Sequence, residues 1–171
     1  IGPCGGSIPG EYARSMFDQL VDGVSAAHWN GITGTDYPFL RHEFLHGLEK
    51  TGCTTAETGW QPCHLVLRDG AAPGAVMPLY LKSHSYGEYV FDWAWADAWE
   101  RTGLSYYPKL VTAIPFTPAA GPRLCSRNGL TPTEVWPVAI EAVQALARRR
   151  QTSWRPSSPT PTRRRDRCDA R

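Results

Sequence analysis

The sequence predicts a domain of the α/β or α+β class, and three observations carry that expectation. Two segments repeat apolar residues at helical spacing. Three short segments are apolar or alternating, with Gly/Pro-rich breaks between them. A chain of 171 residues at 42% hydrophobic is enough for one ordinary core. The coarse order is strand, helix, helix, two paired strands, a further strand and a final helix, with a mostly antiparallel start. There is no internal repeat.

Each element has a local reason. Residues 1–15 make a loose Gly/Pro-rich start without Met. Residues 16–21, MFDQLV, read as a short first strand. Ser25 stands where an N-cap opens a helix through Ala26, Ala27, His28, Trp29 and Ile32. Asp36 and Pro38 mark the start of a second helix, Phe39, Leu40, Phe44, Leu45 and Leu48 form its apolar stripe, and Gly52 stops it. Residues 61–68, QPCHLVLR, alternate as one strand; residues 69–74 turn into a second, 75–81. Residues 97–103 read as a single helical turn and residues 110–114 as a short apolar strand. The following PFTPAAGPRL has three prolines and a glycine, which forbid regular structure. Thr131, Pro132, Thr133 and Glu134 have the form of a capping box. Trp136, Ala139, Ile140, Val143, Leu146 and Ala147 carry the last helical stripe, with Pro137 implying a kink or a later start.

Charge divides the chain. Residues 148–171 hold nine arginines and two aspartates, a balance of +7, so the remainder stands at −5 against the overall +2. Residues 16–149 are the domain; residues 150–171 form a basic tail rich in Ser, Thr and Pro that cannot repay its ordering entropy and is expected to be disordered. A nucleic-acid arm is one reading of it, and a solvated linker another. The composition is also what an out-of-frame reading of GC-rich DNA yields, and that reading is favoured over a nucleic-acid arm. Five cysteines, odd in number and without a CxxC pair, argue against a disulfide framework or a zinc site. With no apolar run long enough for a membrane span and no secretory signal, the expected location is the cytoplasm.

The densest chemistry lies in residues 78–97, PLYLKSHSYGEYVFDWAWAD, where Tyr86, Tyr89, Phe91, Trp93 and Trp95 surround Lys82, His84, Glu88, Asp92 and Asp97. Such a mixture lines a groove. In an extended conformation Glu88, Val90 and Asp92 share one face and Tyr89, Phe91 and Trp93 the other, giving one wet and one packed side. Glu88, Asp92 or His84 could take a proton, and Tyr86 could protonate a leaving group. Set against this, exposed strand acids are usually solvated, a lone His is usually a structural hydrogen-bonder, and aromatics usually build walls. Tyr89, Trp93, Trp95, Asp97 and Tyr107 would line the substrate groove. Lys82, Lys109 and Arg123 could hold an anionic group, and Thr117 could present its hydroxyl from the PFTP turn.

His42, Glu43 and His46 spell HEFLH, which satisfies the zincin pattern literally. No further ligand motif follows it, and the apolar stripe occupies the same helix. The expectation is therefore that no metal is bound and that a zinc protease is the weakest of the alternatives.

PFLRHEFLHGLEKTGC, TGWQPCHLVLRDG, PLYLKSHSYGEYVFDWAWADAWERTG and YYPKLVTAIPFTPAAGPRL, in this order, resemble the amino-terminal half of a bacterial peptidoglycan biosynthesis/recognition family placed near the Fem-type aminoacyltransferases. The resemblance runs from about Phe17 to Arg149. It implies part of a GNAT-like acyl-CoA N-acyltransferase fold, a mixed sheet flanked by helices. It also implies transfer of an acyl or aminoacyl group to an amine of a peptidoglycan precursor, with acyl-CoA or aminoacyl-tRNA as donor. The partner it implies is the missing C-terminal half of the domain, and no Gly-rich pyrophosphate loop for coenzyme A is visible here. A non-catalytic substrate-recognition module is the rival reading.

Overall fold

In the computed structural model, which describes residues 14–18, 21–69, 72–88, 90–127 and 130–153, the elements are β1 (Arg14–Asp18), α1 (Ala26–Thr33), α2 (His42–Lys50), β2 (Trp60–Pro62), β3 (His64–Asp69), β4 (Ala72–Met77), β5 (Tyr80–Lys82), α3 (Trp93–Glu100), β6 (Lys109–Val111), β7 (Cys125–Ser126) and α4 (Pro132–Ser153). The class is α+β. Every described strand pairing is antiparallel, and the strands form two sheets, ordered β1-β3-β4-β7 and β2-β5-β6, rather than one mixed sheet.

Strand period two explains the layers. Val66 and Val76 point to one face, where they pack with Val21, Val24, Trp29 and Leu45. Leu65, Leu67, Ala75 and Met77 point to the other, against Val135, Ala139 and Ala142 of α4. The larger sheet is thus covered on both sides, which is why HLVL reads as nearly continuous apolar sequence. His64 is fully buried, and its neutral ring is satisfied at both nitrogens. The Leu79 N–H donates to Nδ1 at 3.2 Å, so Nε2 carries the proton and donates to Glu49 at 2.8 Å. Glu49 also accepts from the Val21 N–H at 2.9 Å, tying α2 to the segment after β1.

The segment expected as one strand, 61–68, is two strands in different sheets. Cys63 is the step between them, its N–H donating to Leu79 O at 2.9 Å. Pro62 is tolerated in β2 because that strand is a sheet edge and owes no ladder bond on its outer side. The expected strand 75–81 splits likewise at Pro78 into β4 and β5. The first strand lies at Arg14–Asp18, earlier than 16–21, because Val21–Gly23 forms a 3-10 turn.

The helices keep most of their expected punctuation. The Ser25 side chain caps α1, accepting from the His28 N–H at 3.4 Å. The second helix starts later than Pro38: Pro38–Leu40 is a 3-10 turn, Arg41 is extended, and α2 begins at His42. Two cross-contacts hold that break. The Trp29 indole takes the Leu40 carbonyl at 2.7 Å, and Asn30 Oδ1 accepts from the His42 N–H at 2.9 Å in place of a local cap. Gly52, at φ +74°, ends α2 as expected, with Gly52 N–H on Glu49 O at 3.0 Å and Cys53 N–H on Leu48 O at 2.9 Å. Half of the capping box of α4 forms: the Thr131 N–H and hydroxyl donate to Glu134 Oε2 at 2.8 and 2.7 Å. The helix continues through Pro137 and past Ala147 to Ser153, so the first residues of the expected tail are helical; residues 154–171 lie outside the described residues.

Among the described residues around 88–93, the expected wet-and-packed strand does not form. Residues 83–88 include a turn closed by Glu88 N–H on Ser85 O at 3.1 Å, residues 90–92 are irregular, and helix α3 begins at Trp93, ahead of the single turn expected at 97–103. The reason is pairing: period two without a partner strand is not a strand. No residue of α3 is buried. The strand expected at 110–114 is β6, and β7 is too short to leave a pattern in the sequence.

Candidate functional site

The register of the smaller sheet builds the site. Trp60 of β2 stands opposite Lys82 of β5, which stands opposite Lys109 of β6, so one rung carries all three. Lys82 is fully buried; its ammonium lies 3.8 Å from the centre of the Trp60 ring and donates to Tyr86 O at 2.8 Å. Burial lowers its pKa to about 8, a shift that the Glu88 and Asp92 charges oppose and the Lys109 charge assists.

Lys109 takes the opposite course. Burial lowers its pKa, but hydrogen bonds to Asp92 and Glu88 outweigh that and leave it raised. Lys109 donates to Glu88 Oε2 at 3.1 Å and to Asp92 Oδ2, while Asp92 Oδ1 accepts from the Tyr107 hydroxyl at 2.5 Å. Burial pushes the Asp92 carboxyl up, yet the bonds from Lys109 and Tyr107 dominate and hold it at about 2. Tyr106 is pushed up by its bond to Asp92, and Tyr107 by burial and then by Asp92.

Two polar atoms of this cluster are buried without a hydrogen-bond partner, Glu88 Oε1 and Trp60 Nε1. Both residues line an open cavity of about 250 Å³ together with Val90, Val111, Ile114 and Thr117. Gly87, at φ +80°, keeps it open: a Cβ there would stand 2.7 Å from Trp60 Nε1 and 2.6 Å from the Phe116 ring. Phe116 itself holds φ +58°, a strained conformation for a non-glycine residue, and its ring lies 5.6 Å from that of Trp60. A larger cavity, about 380 Å³, lies between β5–β6 and α4, lined by Leu81, Ser105, Tyr107, Lys109, Val143 and Gln144 among others. Lys109 and Tyr107 therefore belong both to the cluster and to this second wall.

Of the residues singled out in the sequence, the fold brings together Lys82, Glu88, Asp92, Tyr107, Lys109 and Thr117, the last with its hydroxyl donating to Pro115 O at 3.1 Å. It leaves others apart. His84 lies over Gly59 and accepts from the Tyr86 N–H at 3.2 Å, and Tyr86 joins the cluster through its carbonyl while its ring is exposed. Trp93, Trp95 and Asp97 are exposed on α3. Arg123 spends its guanidinium on the carbonyls of Ala119, Gly121 and Pro122 in its own loop. Tyr89 lies outside the described residues. Trp60, Tyr106, Gly87 and Phe116 were not foreseen; the indole of TGWQP, one residue ahead of the alternating segment, was the available signal for Trp60.

The HEFLH motif puts both histidines on one face of α2, 3.6 Å (His42) and 3.2 Å (His46) from Asp22 carboxylate oxygens. Glu43 is turned away from them, accepting from Asn30 Nδ2 at 3.0 Å and pairing with Arg41 at 3.4 Å, so it cannot serve a site between the histidines. Among the described residues no group of three His, Cys, Asp or Glu is arranged to hold a metal ion, and no helix is long and apolar enough to cross a membrane.

Residues 20–161 match the model of the FemAB-like family, described as peptidoglycan biosynthesis/recognition. No curated protein and no solved structure matches the chain. The family match spans most of the chain and contains the whole charged cluster with both of its cavities, and on that ground the chain belongs to the FemAB-like family of peptidoglycan biosynthesis/recognition proteins.

Proposed function

We propose that the chain carries the acceptor side and the reaction centre of an N-acyltransferase that joins an acyl or aminoacyl group to an amine of a peptidoglycan precursor. The observation that carries this reading is Lys109, ion-paired to Glu88 and Asp92, which lines the larger cavity while its partner Glu88 lines the smaller one. Transfer needs two substrates to meet at one charged point, and a single-ligand site has no use for the second wall.

The roles follow from the geometry. The larger cavity against α4, where Leu81, Leu110, Val143 and Ala147 stand beside Ser105, Lys109 and Gln144, suits the acyl or aminoacyl group of an acyl-CoA or aminoacyl-tRNA donor. The Glu88 and Asp92 carboxylates make the centre attractive to an ammonium, and Glu88 has the free oxygen to meet the acceptor because both Asp92 oxygens are occupied. Lys109, held charged, stabilises the oxyanion that develops on the acyl carbonyl. Glu88 takes one proton from the ammonium to free the attacking amine, and as the N–C bond forms and the donor's C–S or C–O bond breaks, the second proton leaves with the departing thiol or hydroxyl.

A transfer assay read by mass tests the proposal, with a peptidoglycan-precursor amine and a panel of acyl-CoA and aminoacyl-tRNA donors. Lys109→Met is expected to lower product formation at least a hundredfold, the scale of losing one oxyanion donor, with acceptor binding retained. Product formed at the unchanged rate by that variant would overturn the reading.

A further inference from the structure

We infer that the acyl group seated in the larger cavity is an apolar chain of about eight carbons without an α-ammonium, its far end lying in a groove that continues the cavity along α4. The inference rests on the assignment of the larger cavity to the donor, and adds the chemical class of that donor.

The groove is a third cavity, of about 200 Å³, whose walls include Met77, Leu79, Thr112, Trp136, Ala139 and Ile140. It shares Leu110, Val143 and Gln144 with the larger cavity. On α4 the larger cavity takes Val143, Gln144, Ala147 and Arg150, and the groove takes Trp136, Ala139, Ile140, Val143 and Gln144, which are successive turns of one helix face. On the facing strand the larger cavity takes Lys109 and Leu110, and the groove takes Leu110 and Thr112. Both walls order the two spaces alike, so they lie end to end, with Lys109 in the first and Trp136 in the second. From Ala147 to Ile140 the helix rises about 10 Å.

The walls select the occupant. The floor of the groove is buried and apolar, made by Met77, Leu79 and Ala139, and Trp136 and Ile140 stand half-exposed at its rim. Among the described residues neither cavity is lined by an aspartate or a glutamate, and the charged residues in their walls are two cations, Lys109 and Arg150. An aminoacyl group carries its ammonium on the carbon next to the reacting carbonyl, which Lys109 holds, and Asp92 already has both oxygens engaged. Like charges brought together in a part-buried site repel, so this wall rejects the ammonium. A peptidyl donor would bring amide groups into a groove whose only polar side chains are Thr112 and Gln144. Size sets the length: an apolar cavity of about 150 Å³ takes a six-carbon ring. The groove therefore holds about six carbons, and the carbonyl and its neighbour remain beside Lys109.

The test uses the 171-residue chain and four thioesters of pantetheine, the acetyl, butanoyl, octanoyl and 2-aminooctanoyl forms, with no acceptor present. Calorimetry is expected to show affinity rising about threefold per methylene from butanoyl to octanoyl, the scale of burying each one. The 2-aminooctanoyl form is expected to bind about tenfold more weakly than the octanoyl form at neutral pH. Ile140→Glu, a change at the half-exposed rim, is expected to weaken octanoyl binding about tenfold and leave acetyl binding unchanged. If that variant fails to fold, the chain-length series on the wild type decides. Affinity that does not grow with chain length, 2-aminooctanoyl bound as tightly as octanoyl, or no thioester bound would each overturn the inference. A dimer seen by light scattering that Ile140→Glu dissolves and the octanoyl form does not would assign the groove to a second copy, and overturn it too. The two readings fail separately. A flat chain-length series beside transfer that Lys109→Met abolishes sinks the inference and leaves the reaction standing, whereas a rising series beside transfer that Lys109→Met leaves unchanged sinks the proposed reaction.

Discussion

Lys82 makes folding stability depend on pH in a direction opposite to that of a surface lysine pair. Its pKa is lowered from 10.5 to about 8 in the folded chain, so between those values the unfolded state binds more protons and stability rises with pH. The charged form is penalised below the folded pKa, and the penalty is relieved as pH climbs through about 8 toward 10.5. Integrating the two titrations between about pH 7 and about pH 9.5 gives roughly 2 kcal/mol of added stability. That range stays below the region where the raised phenols of Tyr106 and Tyr107 would act in the other sense. Lys82→Met keeps the stem against Trp60 and removes the ionisation, so the variant lacks this rise. Urea melts of both proteins at several pH values read the effect as a rise of about 1 M in the wild-type midpoint relative to that of the variant from the neutral to the alkaline end, taking a slope of roughly 2 kcal/mol per molar. Midpoints of the two proteins that move in parallel across the whole range would refute the argument, because they would mean that Lys82 is solvated in the folded state.

Two further outcomes concern stability. Glu49→Ala leaves the His64 N–H and the Val21 N–H without their acceptor in a buried pair whose side chains are 0% and 4% exposed, and is expected to cost about 3–5 kcal/mol by urea melt, while Glu49→Gln, still able to accept, costs clearly less. Gly87→Ala places a methyl at φ +80° against Phe116 and the Trp60 indole; it is expected to destabilise by more than about 1 kcal/mol and to remove binding to the smaller cavity, and unchanged stability would show that the cavity can yield.

What could be read from the chain was local. Ser25, Gly52 and the Thr131–Glu134 pair punctuate helices through bonds within a few residues, and the period-two pattern of Leu65, Val66 and Leu67 places each side chain on its face whichever strand lies beside it. The motif resemblance likewise pointed to the family that the match over residues 20–161 shows. The individual acids and lysines of the cluster were visible as residue types in a dense polar and aromatic stretch.

Tertiary structure decided which of those residues meet. Alternation of acid and aromatic over residues 88–93 satisfied the strand pattern, yet no strand pairs there among the described residues, and a helix that buries none of its tryptophans begins at Trp93. Trp60, Lys82 and Lys109 share a rung only because β2, β5 and β6 pair in one register, and a slip of one residue would send each side chain to the opposite face. Register depends on partners distant in sequence and on the two steps, at Cys63 and Pro78, where the chain crosses from one sheet to the other. Capping and periodicity are properties of neighbours along the chain, whereas a site assembled across three strands is a property of how those strands are paired, and no local pattern encodes that pairing.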